Sequence, residues 1–153
     1  MIAIDWPDGD RWQIEHLCLD LNGTLALDGA LLPGVAETLR GLRSRLQLHL
    51  LTAGTHGGLA LVEQELGIKA VPIGRGTEKR LYVERLGPER SIAVGNGRND
   101  AAMLALARLG IAVLGPEGLA AAATQAADIV VPDIVSGLDL LTHPLRIVAT
   151  LRL

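Results

Sequence analysis

Phenylalanine is absent from the 153 residues, and one tyrosine and two tryptophans supply every aromatic side chain. A core therefore has to be built from Leu, Ile, Val and Ala, and with 49% of the chain hydrophobic there is enough apolar material for one. That is a globular and not a disordered composition. Cys18 is the single cysteine, which excludes a disulfide within the chain, and its apolar neighbours mark it as a packed thiol. Lysine occurs twice, as Lys69 and Lys79, so any role that needs an ammonium has two candidates. No basic stripe is present and the net charge is -3, which argues against a nucleic-acid partner. Eighteen consecutive apolar residues occur nowhere and no basic segment leads into an early apolar run, so a cytoplasmic protein with no membrane partner is expected.

The length suits one domain over residues 1–153. Two short alternating runs flank Pro7-Asp8-Gly9-Asp10 and predict an N-terminal β-hairpin, with Trp6 and Trp12 packing across it and its second arm running on toward Asp20. Asp28-Gly29 between apolar residues predicts a small hairpin or flap. Val35, Leu39, Leu42 and Leu46 recur at helical spacing after Pro33-Gly34. Strands are then expected at 47–52, 68–73, 91–95, 111–114 and 129–131, with helices at 56–66, 77–86, 100–108 and 119–126 and from 134 onward. Such alternation indicates βαβ crossovers: an α/β fold, doubly wound (Rossmann-like), with a mostly parallel sheet between two helical layers in a three-layer sandwich.

The run Leu17-Cys18-Leu19-Asp20-Leu21-Asn22-Gly23-Thr24-Leu25 ends a buried strand in one carboxylate followed by turn formers. In a doubly wound sheet reactive groups collect at the carboxyl ends of the strands, which puts Asp20 in position for chemistry; an Asp capping a turn before Gly23 explains the segment equally well. Three other elements share that address: Thr52 in Leu50-Leu51-Thr52-Ala53-Gly54-Thr55, Lys79 opening a helix, and Gly95-Asn96-Gly97-Arg98-Asn99-Asp100. Each has a plainer explanation, Thr52 as a β-former, Lys79 as a solvated cation, Asn99 or Asp100 as a helix N-cap. The four histidines show no metal-ligand spacing and read as structural, with His56 alone lying near the proposed site.

Taken in order, these motifs resemble the haloacid dehalogenase (HAD) superfamily of phosphotransferases, and within it the soluble relatives of the P-type ATPase phosphorylation domain. The resemblance spans 15–131. It implies that Asp20 is the nucleophile, forming an aspartyl phosphate and binding Mg²⁺. The main chain of Asn22 is implied to offer the metal an oxygen. Gly23 and Thr24 are implied to turn backbone N–H groups toward the phosphate, Thr52 to hold a phosphoryl oxygen with Ala53 beside it, and Lys79 to neutralise charge. Asn96 and Asp100 complete the implied metal site. The substrate class is a phosphorylated small molecule or macromolecule.

Two positions depart from the family pattern. Asn22 stands where a HAD phosphatase carries its acid/base Asp, and an amide cannot cycle a proton, which implies slow turnover. Asn96 stands where the common loop has Asp, which implies a weakly held Mg²⁺. The intervals 24–52 and 55–79 are too short for a cap domain, so an open site is expected, suited to a macromolecular substrate or to a homo-oligomer whose neighbour closes it. The rival expectation is a catalytically impaired HAD-fold regulatory or phosphate/nucleotide-binding module.

Overall fold

The computed structural model describes residues 1–54, 57–73 and 75–153. β1 (Ile2–Asp5) and β2 (Arg11–Ile14) form an antiparallel hairpin closed by the Trp6 N–H donating to the Asp10 carbonyl at 2.9 Å. Trp6 and Trp12 pack with ring centroids 4.5 Å apart, and the Arg108 guanidinium lies 4.3 Å over the Trp12 ring. The expected run-on of the second arm is interrupted at Glu15, whose N–H donates to the Arg90 carbonyl and whose carbonyl accepts from Gln47 N–H. The hairpin is therefore a ladder separate from the main sheet.

β3 (His16–Asp20), β6 (Gln47–Thr52), β7 (Ala70–Pro72), β8 (Ser91–Gly95), β9 (Leu109–Val113) and β10 (Ile129–Val131) form one parallel sheet in the order β10-β9-β8-β3-β6-β7. All five residues of β3 are buried, as expected for a central strand covered on both faces. The chain winds from β3 through β6 to β7 on one side and then returns to β8 on the other. The loops after β3 and β8 thus part at a topological switch point, the crevice where doubly wound sheets hold ligands.

α1 (Val35–Leu42), α2 (Leu59–Leu66), α6 (Ile134–Thr142) and α7 (Pro144–Leu151) cover one face together with the hairpin, packing on Leu17, Leu19, Leu50, Ile92 and Ile111. The opposite face receives α3 (Gly76–Leu86), α4 (Ala101–Leu106) and α5 (Ala121–Ala126) over Cys18, Leu51, Ala93 and Ala112. Cys18 thus faces one layer while Leu17 and Leu19 face the other, the period of two that a strand imposes. Burial pushes its thiol up to about 12, consistent with an inert packing role. β4 (Ala26–Leu27) and β5 (Ala30–Leu31) make the flap as an antiparallel pair.

With Asp20 and Thr52 separated by a hairpin and one helix, and Thr52 and Lys79 by a helix and a short strand, no cap domain interrupts the core among the described residues. Gly67 and Gly87 end α2 and α3. Among the described residues no single helix is long and apolar enough to cross a membrane.

A partly buried polar chain crosses β3 and β6. His16 Nδ1 lies 3.2 Å from His49 Nε2, and His49 Nδ1 lies 3.0 Å from the Tyr82 hydroxyl. Burial first, then the neighbouring His16, lowers His49 to about 4; burial and Arg90 lower His16. The unfolded chain binds more protons here than the folded one, so the contribution is intact above the ordinary histidine pKa near 6.5 and is lost as the pH falls toward 4. Between pH 7 and pH 5 this pair is expected to cost about 1–2 kcal/mol of stability, after allowance for the partial exposure of His49, read in urea unfolding as the difference in pH slope between the parent protein and His49→Gln. In His49→Gln that loss shrinks; an unchanged pH slope in the variant would refute the assignment.

Candidate active site

Asp20 ends the central strand with its carboxylate at the carboxyl edge of the sheet, 6% exposed. Lys79 reaches it from the first turn of α3, because helical side chains lean back toward the N-terminus and here toward that same edge. The Lys79 ammonium donates to Asp20 Oδ1 at 2.6 Å and to Asp100 Oδ1 at 2.7 Å and is wholly buried, which rules out a solvated surface role. Arg75 and Arg80, its basic neighbours in sequence, are both exposed. Burial alone would pull the ammonium down, but Asp20 and Asp100 outweigh it and hold Lys79 above its ordinary value.

Asp100 is saturated on its second oxygen as well. Its Oδ2 accepts the N–H groups of Asn96 at 3.1 Å and Gly97 at 2.8 Å, folding the 95–100 loop around the carboxylate. A Cβ at Gly95 would sit 2.5 Å from that carboxyl group, so glycine is what allows the loop to close over it. Asp100 occupies the N-cap position of α4 without making a side-chain cap bond; its carboxylate turns back to the loop instead.

Thr24, fully buried, links the two loops at the switch point. Its hydroxyl lies 3.0 Å from Asp20 Oδ2 and 3.0 Å from Asn96 Oδ1, so a carboxylate oxygen and an amide oxygen converge on one group. Burial first, then the charge of Asp100, pushes the Asp20 carboxyl up to about 6, against the opposing pulls of Lys79 and Thr24. Two carboxylates on one ammonium leave the cluster one positive charge short. Thr52, at the end of β6, is 2% exposed, with the Asn22 amide donating to its hydroxyl at 3.4 Å and Gly54 N–H at 3.3 Å.

The structure thus joins Asp20, Thr24, Lys79, Asn96 and Asp100 directly, with Asn22 and Thr52 paired beside them and Ala53 exposed next to Thr52. One expectation is corrected. The N–H groups of Gly23 and Thr24 do not face outward: they donate to the carbonyls of Ala26 at 2.8 Å and Leu21 at 3.2 Å, closing the tight turn that carries Thr24 back to Asp20. His56 lies outside the described residues. Glu117, in the turn after β9, was not anticipated from the sequence; its carboxylate stands beside Gly23 and Asn96. Among the described residues no three His, Cys, Asp or Glu side chains gather in a metal-binding group, so any cation here has to draw on amide or main-chain oxygens.

The family profile described as haloacid dehalogenase-like hydrolase matches residues 9–108, which include Asp20, Thr52, Lys79, Asn96 and Asp100. The chain belongs to the haloacid dehalogenase-like hydrolases. An uncharacterised protein of Methanocaldococcus jannaschii is 47% identical over 64 residues, 42% of this chain and 69% of that protein. Among solved structures, this HAD-like hydrolase is similar in fold to the 3-deoxy-D-manno-octulosonate 8-phosphate phosphatase of Moraxella catarrhalis, determined with magnesium, phosphate and KDO. The TM-score is 0.67 at 18% identity, covering 85% of this chain and 86% of that one. The cobalt-bound deoxy-D-mannose-octulosonate 8-phosphate phosphatase of Haemophilus influenzae superposes with a TM-score of 0.70 at 16% identity, covering 92% and 94% of the two chains. At these identities the likeness is one of fold.

Proposed function

We propose that this chain is a Mg²⁺-dependent phosphohydrolase that works through an aspartyl phosphate on Asp20. The observation that carries the reading is the buried Asp20–Lys79–Asp100 cluster at the sheet's switch point, one positive charge short. Membership of the haloacid dehalogenase-like hydrolases supports it, as does the presence of magnesium and phosphate in the Moraxella catarrhalis phosphatase. Asp20 and Asn96 suit Mg²⁺, a hard cation that takes oxygen ligands, because their oxygens converge on Thr24; the main-chain oxygen of Asn22 is the third protein donor. Asn96 is favoured over Asp100 as a ligand because both Asp100 oxygens are already hydrogen-bonded. When bound, the ion supplies the missing positive charge and draws electron density from the phosphoryl oxygens.

In this reading Asp20 Oδ1, held beside the Lys79 ammonium, attacks phosphorus while the ester P–O bond breaks and the leaving oxygen departs with the bonding pair. Water then attacks the aspartyl phosphate, releasing inorganic phosphate and restoring the carboxylate. Thr52 and the N–H of Ala53 orient the phosphoryl oxygens, and Lys79 neutralises their charge. Asp100 acts through Lys79, fixing its ammonium, and through the Asn96–Gly97 backbone. Thr24 fixes the rotamer of Asp20. Asn22 neither protonates the leaving oxygen nor deprotonates the water, so both half-reactions run without that assistance and good leaving groups are favoured.

Incubation with an aryl phosphate and with acetyl phosphate, with and without Mg²⁺, tests this. The wild-type protein should release phosphate slowly and only with metal, and Asn22→Asp should speed release by about a hundredfold. Neither phosphate release nor a trapped acyl phosphate would leave a phosphate-binding module as the function.

A further inference from the structure

Beyond β9 the chain makes the turn Gly115-Pro116-Glu117-Gly118, closed by Gly118 N–H donating to the Gly115 carbonyl at 2.9 Å. Gly118 sits at φ +88°, a left-handed conformation that glycine adopts without strain. The turn is wedged against the active site on two sides. A Cβ at Gly115 would lie 2.4 Å from the Gly23 carbonyl, and the Asn96 amide Nδ2 donates to the Gly118 carbonyl at 3.1 Å. The Asn96 main chain adds a third tie, its carbonyl accepting Ala120 N–H at 2.9 Å.

Asn96 is 7% exposed, and the two ends of its amide have different company. One end meets a main-chain carbonyl, which accepts and never donates. The other lies 3.0 Å from the Thr24 hydroxyl, the group that also touches Asp20 Oδ2. One placement of the amide satisfies both neighbours: nitrogen toward Gly118, oxygen toward Thr24 and the nucleophile. The turn thus decides which end of residue 96 faces Asp20. A carboxylate in the same rotamer would set an anionic oxygen at the 3.1 Å position now held by the amide nitrogen, against the Gly118 carbonyl with no proton between them. Two buried acceptors facing each other carry the desolvation cost of both.

We infer that the 115–118 turn is a positioning element of the metal site: the Gly118 carbonyl holds the Asn96 oxygen toward Asp20 and thereby selects asparagine over aspartate at residue 96. Mg²⁺ binding here rests on the phosphohydrolase reading, whereas the hydrogen bonds stand among protein groups and do not need the ion. Groups that orient a metal ligand matter to affinity nearly as much as the ligand itself. Asn96 is accordingly a fitted part of the site, and putting the carboxylate of the common loop in its place does not tighten the hold on the metal.

A double-mutant cycle of Asn96→Asp with Gly115→Ala tests this. Gly115 lies outside the left-handed region, so a methyl group there acts by its contact with the Gly23 carbonyl. The turn around Gly23 is closed by Gly23 N–H on the Ala26 carbonyl and by the N–H groups of Thr24, Leu25 and Ala26 on the Leu21 carbonyl. Against these stands the Gly118–Gly115 bond, so the 115–118 turn is the one that yields and draws its carbonyl away from Asn96. Mg²⁺ affinity is read by calorimetry without substrate. Asn96→Asp alone should bind Mg²⁺ no tighter than wild type, Gly115→Ala should bind it about tenfold more weakly, and Asn96→Asp in the Gly115→Ala background should regain about that factor. Tighter binding by Asn96→Asp alone, or effects that add, would overturn the inference. Urea unfolding of the four metal-free proteins reads the same cycle without the ion. Asn96→Asp should lower the midpoint in the wild-type background and lower it less beside Gly115→Ala, the repulsion from Asp20 and Asp100 being common to both; additive losses would again overturn it. Should Asn96→Asp fail to fold, deuterium exchange of the Asn96 side-chain NH₂, followed by NMR, should be about tenfold slower in wild type than in Gly115→Ala, and equal rates would count against the clamp. Metal-dependent aryl phosphate turnover by the wild type reports separately on the phosphohydrolase reading.

Discussion

Lys79→Met is expected to remove three or more orders of magnitude of phosphate release and about 3–5 kcal/mol of stability, the scale measured when one partner of a buried ion pair is deleted. The size of the second effect follows from burial. The ammonium is wholly inaccessible and bridges two carboxylates at 2.6 and 2.7 Å, so its loss strands Asp20 and Asp100 in a dry site facing each other. Methionine keeps much of the volume, which separates loss of charge from loss of packing. Urea unfolding and stopped-assay phosphate release on the same preparation check both halves. A variant as stable as the parent would mean that the carboxylates take up protons or water without penalty, and the cluster would lose its assigned role.

Asp20→Asn should move the two quantities in opposite directions. Turnover falls below detection, because an amide oxygen is no nucleophile toward phosphorus, while the metal-free protein becomes more stable at pH 7 by about 2 kcal/mol. The Asp20 carboxyl is pushed up to about 6 from an ordinary 3.8. The folded state thus holds a proton more tightly than the unfolded chain, and stability from this group is full below 3.8 and lost as the pH rises through 6. Asparagine removes that loss along with the repulsion from Asp100. Metal-free unfolding of both proteins at pH 5 and pH 7 decides the matter: the gain should appear at pH 7 and shrink at pH 5. A variant less stable than the parent at pH 7 would sink the reading.

The strand carrying Asp20 was legible because an apolar run stops at one carboxylate followed by Asn-Gly-Thr, and the sheet order then made its position central. Lys79 shows the limit of the same method. A lysine near a helix start reads as solvated, and nothing local reports that its partners lie 59 residues before and 21 after it. Leu46 was placed correctly in the core by periodicity, although α1 stops at Leu42 and a turn brings Leu46 in. The strand expected at 111–114 begins two residues earlier and takes in Gly110, which lies so closely under α4 that a Cβ there would meet the Leu104 carbonyl at 2.4 Å. The outward-facing N–H groups expected at Gly23 and Thr24 failed for a local reason, since a turn this tight closes on its own donors. Glu117 was missed, yet Gly115-Pro116-Glu117-Gly118 follows a strand just as the other motifs do. Its signal was position, not residue type.

The central place of β3 also bears on how the molecule is assembled. Its ladder partners, β6 and β8, arrive some 30 and 75 residues later in the chain, so one edge of this buried strand can pair early while the other stays open until β8 has emerged. Parallel pairings of that sequence separation close slowly, because loop entropy is lost before the contacts form. Joining of the Asp20, Lys79 and Asp100 side chains is thereby a late event in folding, and a nascent or truncated chain ending before Ser91 leaves one edge of the apolar β3 unpaired and lacks the second carboxylate on Lys79.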